Sequence, residues 1–204
     1  GLQSVIDSEL SDDDILSEFV ASTLPGELLS HLKAFVATVD CPVAVRSSSK
    51  LEDSNYQPFA GVYSTYMCPF VDNKDRMLRE LTKAIKSVYA STYFAGSRAY
   101  IQASGNLLGE EKMAVIIQSI CGSLHGDVYY PMLSGVARSM NAYPIGSEKA
   151  EDGVLNVAFG LGKTVVEGGR TLRVDPRQPR KILQLSSPKL AMRDTQTEMF
   201  VLDS

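Results

Sequence analysis

Val43-Ala44-Val45-Arg46-Ser47-Ser48-Ser49, then Glu52-Asp53, then Phe59-Ala60-Gly61-Val62-Tyr63-Ser64-Thr65-Tyr66, decides how this chain folds. Pro42 to Val45 reads as a short apolar strand that delivers Arg46 at its end. From Arg46 the chain turns polar, and the serines, Asn55 and Pro58 of residues 47–58 predict a loop. Gly61 to Met67 alternates Val62, Ser64 and Tyr66 against Tyr63, Thr65 and Met67, which suits a second strand. A guanidinium is planar, permanently charged and able to hold two phosphate oxygens at once. Gly61 lets backbone N–H groups approach a phosphate closely, and the Thr65 hydroxyl adds a donor. Together these residues form half of an anion cradle. By pattern alone, an arginine at a strand end is more often a surface ion-pair member, and both readings stand at this point.

Upstream, residues 1–40 read as a helical segment. Ser11 is an N-cap, and Asp12, Asp13 and Asp14 are first-turn carboxylates that suit the helix dipole. Pro25 interrupts, and a second helix from Gly26 to Val39 carries Leu28, Leu29, Leu32, Phe35 and Val36 at helical spacing. Downstream, a long helix over 73–95, which Asp72 or Asp75 can cap, buries Leu78, Leu81, Ile85, Val88 and Tyr89. A loop spans 103–111. Strands follow at 114–120, 128–132, 134–137, 154–159, 171–174 and 181–185, separated by Gly, Pro, Asn and Asp. The fold class is α+β, a helical front followed by a largely antiparallel sheet over 41–204.

Composition narrows the function classes. Hydrophobic residues make up 44% and charged residues 22%, so the chain can bury a real core. A net charge of -4 argues against a protein that coats nucleic acid. No apolar run reaches the roughly 20 residues needed to span a bilayer, so no membrane partner is expected. The acidic N-terminus is unlike a signal peptide, which points to a cytoplasmic protein. Cys41, Cys68 and Cys121 have no metal-ligand spacing and read as buried reduced thiols. Gly160-Leu161-Gly162-Lys163-Thr164 invites a P-loop reading, but Val157 stands where the motif needs glycine. It remains either a nucleotide-side loop or a strand-ending turn. Glu52 and Asp53 are read as fixing their loop, and with Glu167 they form no metal cluster by spacing. His31 reads as structural and His125 as an exposed turn residue. No Ser or Cys has a His and carboxylate suggestively near, so a hydrolase triad has no support.

The order and spacing of Val43–Ser49, Glu52-Asp53, Phe59-Ala60-Gly61 and Thr65 resemble the nucleotide-binding domain of phosphoenolpyruvate synthases and pyruvate phosphate dikinases. Val88-Tyr89-Ala90-Ser91, Arg98-Ala99-Tyr100, Met113 to Ile120, Ser134-Gly135-Val136-Ala137 and Gly160-Leu161-Gly162 resemble further family blocks. The resemblance covers roughly residues 40 to 175. It implies an ATP-grasp-like fold with ATP between two lobes. It also implies a parent enzyme that moves a phosphoryl group from ATP to a histidine on a swivelling domain, and then, through a substrate domain, to an acceptor such as pyruvate. Carried over residue by residue, Arg46 would contact the nucleotide phosphates, Gly61 and Thr65 would form the loop over them, and Gln118 would face the base.

Two departures stand out. Lys163 replaces the acidic residue usual after Gly-Leu-Gly, and Arg138-Ser139 replaces an aromatic-hydroxyl pair. The family's nucleotide lysine, its Mg2+ ligands and its phosphorylatable histidine have no counterpart in this stretch. The resemblance therefore implies an excised portion of a phosphotransferase, inactive by itself because transfer needs metal and charge in place. The alternative reading is a non-catalytic sensor or interaction domain that keeps the fold. A polyanion-binding module is disfavoured by the charge.

Overall fold

Ser11 caps the first helix as its sequence predicts. The Asp14 N–H donates to Ser11 Oγ at 3.2 Å, and helix α1 (Asp12–Ala21) follows with Ile15 and Phe19 buried. After Pro25, α2 (Gly26–Thr38) buries Leu32 and Val36. Asn73, rather than Asp72 or Asp75, caps α3 (Lys74–Ser91), whose apolar stripe is Met77, Leu81, Ala84, Ile85 and Val88. That stripe sits slightly off the predicted one: Leu78 is only half-buried and Tyr89 is exposed. The long predicted helix also breaks after Ser91 and resumes as α4 (Ala95–Ala103). These elements belong to a computed structural model that describes residues 2, 5, 10–49, 63–103, 112–166 and 168–203.

The strand at the centre of the first half is longer than the sequence suggests. β1 (Val43–Ser49) continues through Arg46-Ser47-Ser48-Ser49, which had read as loop. Serines are poor strand formers, but here each has a paired neighbour that fixes its backbone. β1 lies between β2 (Tyr66–Cys68) and β3 (Met113–Ser119), antiparallel to both. The Ile120 N–H adds a bond to the Pro42 carbonyl at 2.9 Å. α2 and α3 cover one face of this sheet, and Leu32, Val36, Val43, Val45, Met77, Leu81, Ile85 and Val88 form one continuous apolar core there. A second cluster joins Val5, Ile15, Phe19 and Ala90.

The chain divides into two compact units, 1–120 and 121–204. The second contains two small antiparallel sheets. In one, β4 (Ser123–His125), β5 (Val128–Tyr130) and β9 (Leu202–Asp203) pair in that order; in the other, β6 (Ser134–Arg138), β7 (Val154–Ala158) and β8 (Leu172–Val174) do. The strand expected at 181–185 is instead a single 3-10 turn, Leu183–Leu185, followed by a short helix, Pro188–Asp194, numbered α6 after α5 (Lys163–Val166). The mixture of helix and antiparallel sheet agrees with the α+β reading.

A polar cluster ties the β7–β8 region to the 139–150 segment. Arg173 grips Glu148 with both terminal nitrogens at 2.6 Å and also donates to Asn141 Oδ1 and the Tyr143 carbonyl. Glu148 also accepts from Asn141 Nδ2 and the Ile145 N–H, both at 2.9 Å. The Arg173 hydrogen bonds are the main reason the Glu148 carboxyl is held down to about 2, from an ordinary 4.5, against the opposing effect of burial. A carboxylate lowered in this way stabilises the fold above about pH 4.5, and the contribution is lost as pH falls towards about 2.

Two outcomes follow. Leu81→Ala, at a site with no exposure, should cost about 2–5 kcal/mol through lost burial and a cavity, read as a lowered urea midpoint. Glu148→Gln should destabilise the chain at pH 7. It should also flatten the fall in urea midpoint between pH 4.5 and 2 that the parent chain shows.

Candidate functional site

Because β1 is paired with β3 along its whole length, its side chains alternate between two faces. Val43, Val45 and Ser49 are buried beneath the helices, whereas Arg46 on the opposite face is exposed. The register with β3 places Ala44 opposite Gln118, Arg46 opposite Ile116 and Ser48 opposite Ala114. On the other edge, Ala44 faces Met67 and Val45 faces Tyr66. This face, free of the α2–α3 core, therefore presents Arg46, Ser48, Ile116 and Gln118 together.

Arg46 Nη1 lies 3.5 Å from Gln118 Oε1, at the outer limit of a hydrogen bond. Among the described residues Arg46 has no carboxylate partner. Among those residues the surface ion-pair alternative thus lacks its other half. Thr65 is exposed and sits one step beyond the Val45–Tyr66 pair, so the ladder prolonged by one residue reaches Arg46. Gly61, Glu52, Asp53 and Phe59-Ala60 lie outside the described residues. Arg46 and Gln118 thus share one neighbourhood, although 72 residues separate them in the chain.

Ile116 was not singled out from the sequence. It is 48% exposed between Ala114 and Gln118 and puts an apolar surface beside the guanidinium. Its signal was the dense apolar run of β3, longer than a strand with one buried face requires. Arg46, Ile116 and Gln118 together combine a fixed cation, an apolar platform and a two-way hydrogen-bonding amide. That combination suits a ligand with an anionic end and a flat polar end.

The other candidates resolve differently. Gly160 has φ +78°, and a Cβ there would lie 2.4 Å from Met199 Cγ and 2.6 Å from the Phe200 carbonyl oxygen. The Leu161 N–H donates to that same carbonyl at 2.9 Å, and the Ser134 hydroxyl donates to the Gly160 carbonyl at 2.7 Å. Gly160-Leu161-Gly162 is therefore a packed strand-ending turn. The Lys163 ammonium sits 4.9 Å from the Phe200 ring centre, and Glu167 lies outside the described residues. Among the described residues no three His, Cys, Asp or Glu side chains gather as a metal would require.

Three smaller readings need correction. His31 is exposed on α2 rather than built into the core, and His125 is half-buried at the end of β4, stacked on Tyr130 at 4.2 Å. Only Cys68 of the three free cysteines is buried; burial, with the Glu80 charge adding, raises its thiol to about 11, which makes it unreactive at neutral pH. Cys41 is half-buried and Cys121 exposed. Among the described residues no helix is long and apolar enough to cross a membrane.

An exposed arginine with one long hydrogen bond contributes little to folding. Arg46→Ala should leave the urea midpoint within about 0.5 kcal/mol of the parent chain, and a larger loss would mark Arg46 as a structural residue.

Comparison with known proteins places the chain in a family. The sequence pattern described as the pyruvate phosphate dikinase AMP/ATP-binding domain matches residues 5–200. A relative from Bacillus subtilis (strain 168), named as an uncharacterized phosphotransferase YvkC, is 30% identical over 164 residues, which is 80% of this chain. The chain spans 18% of that relative's length.

Proposed function

Since this chain belongs to the AMP/ATP-binding domain family of pyruvate phosphate dikinase, we propose that it is the ATP-binding portion of a dikinase-type phosphotransferase and holds the nucleotide on the open face of β1 and β3. The observation that carries this reading is the exposed Arg46 guanidinium beside Gln118, without a carboxylate partner among the described residues.

Each residue has a role its chemistry allows. Arg46 takes phosphate oxygens, two at a time, from a strand that cannot shift. Gly61 and Thr65 supply a backbone N–H and a hydroxyl from the segment entering β2. Gln118 offers an amide that can both donate and accept, matching the edge of a purine base. Ile116 gives the ring an apolar surface to lie against. Residues 41–204 are the nucleotide-binding part, of ATP-grasp type, and 1–40 a helical segment packed beside it.

ATP supplies the phosphoryl group. In the longer protein it passes to a histidine on another domain, and from there to an acceptor such as pyruvate on a third. Magnesium would be held by residues beyond this stretch, as would the groups that neutralise charge during transfer. The isolated chain is therefore inactive in transfer, and the reaction belongs in the cytoplasm, where ATP is abundant.

The test is calorimetric titration of the longer parent protein with ATP and a non-hydrolysable analogue. Arg46→Ala should weaken binding roughly ten- to hundredfold, the scale of lost charge-assisted hydrogen bonds, and should abolish magnesium-dependent phosphoryl transfer. Unchanged binding and activity in that variant would refute the assignment. If the parent protein itself binds no nucleotide at millimolar concentration, the chain is a non-catalytic sensor or interaction domain that retains the fold.

A further inference from the structure

β1 and β3 stay together beyond the pair Val43–Ser119. The Ile120 N–H donates to the Pro42 carbonyl at 2.9 Å. Pro42 has no N–H to return the bond, so this pair is held by one hydrogen bond instead of two. The next residues outward on the two strands are Cys41 and Cys121. In an antiparallel pair, directly opposite residues alternate between hydrogen-bonded and non-hydrogen-bonded positions. Pro42–Ile120 takes a hydrogen-bonded position, so Cys41–Cys121 falls on a non-hydrogen-bonded one, where Cα atoms approach to about 4.5 Å. That spacing is inside the window of about 4.4–6.8 Å that a disulfide spans. Cys121 follows Ile120 by one peptide bond, so the end of β3 sets the place of its backbone.

Side-chain direction agrees with this placement. Alternation puts Cys41 on the face of Val43 and Val45, and Cys41 packs against the apolar core that those two valines enter. By the same count Cys121 falls on the face of Ile117, which packs against that core too. Both thiols are free, with Cys41 half-buried and Cys121 exposed, so a small oxidant reaches Cys121 directly. The third cysteine is no competitor. Cys68 stands opposite Val43 rather than Cys41. It is buried, and its thiol, raised to about 11, stays protonated at neutral pH and is a poor nucleophile.

We propose that Cys41 and Cys121 are a dithiol modification site, which closes to a disulfide fastening the entry of β1 to the exit of β3. The oxidant is a low-molecular-weight disulfide. The Cys121 thiolate attacks one of its sulfurs, an S–S bond forms to Cys121, and one small thiol leaves. The Cys41 thiolate then attacks the Cys121 sulfur and expels the second small thiol. Two protein thiols lose two electrons and two protons, and the small disulfide gains them as two thiols. The ring closed in this way contains β1, β2, α3, α4 and β3. A cross-link around so long a stretch restricts the unfolded chain strongly. It also ties together the two strands that carry Arg46 and Gln118.

The chain equilibrated with oxidised or with reduced glutathione tests the proposal. Remaining thiols are blocked with iodoacetamide, the monomer band of a non-reducing gel is digested, and the unreduced peptides are identified by mass spectrometry. With oxidised glutathione the Cys41 and Cys121 peptides should be joined within one chain, while Cys68 should be alkylated only after denaturation. The oxidised chain should unfold at a urea midpoint roughly 1 M above that of the reduced chain. Cys121→Ser, at an exposed position, should leave the reduced midpoint unchanged and abolish the rise. Glutathione held on Cys121 alone, a link from Cys41 to Cys68, or joined peptides only between two chains would overturn the proposal. So would a Cys121→Ser variant that keeps the rise.

Discussion

Over Val43–Val45, where β1 is hydrogen-bonded along both edges, the strand has no backbone left to offer and contributes to the rest of the molecule through the alternation of its side chains. Val43 and Val45 are driven into the α2–α3 core, and each is fully buried. Their burial fixes the roll of the strand, and with it the direction of every residue between and beyond them. Arg46 points away from the core because its neighbours cannot. A long, flexible cation that would otherwise sample many directions has its root anchored by apolar packing on the reverse side of the sheet. A site carried on such an element is held more tightly than one carried on a loop.

The second unit is stabilised differently. Among the described residues, the buried apolar clusters all fall within residues 1–120. Residues 121–204 rely more on directional contacts: the Arg173 fork on Glu148, the Asn141 amide between them, and the close approach of Gly160 to Met199 and Phe200. Directional contacts specify geometry well, but each depends on a partner that must itself be held in place. The first unit can absorb small changes in packing by letting side chains adjust, whereas the second has fewer interchangeable parts.

Much of the architecture was legible because it follows from local chemistry. Ser11 starts a helix where its side chain can accept an N–H, and Pro25 stands between α1 and α2, at the start of the latter. In the second unit β5, β6, β7 and β8 were visible as apolar runs between turn residues, whereas β4 and β9 were not. What stayed hidden depends on distant partners. Ser47 to Ser49 look like loop until β3 is known to lie alongside them, and 181–185 looks like strand although no neighbour pairs with it. The break at Thr92 was masked by helix-compatible residues on both sides. Of the candidate site, Arg46, Gly61, Thr65 and Gln118 came from a motif in linear order. The motif could not say that Arg46 and Gln118 are adjacent on one face, or that Ile116 lies beside them. Register supplies that information, and register is set by the sheet as a whole.

The two-faced use of β1 also bears on how this stretch can vary over generations. Point substitutions on one side of the strand are screened from the other, so core positions and outward positions can drift under separate pressures. A single codon inserted or deleted within Val43–Ser49 has no such freedom. It would turn the guanidinium inward among aliphatic side chains and lift a valine into solvent, losing both roles at once. The length of this strand is therefore expected to be more resistant to change than the identity of any one residue in it.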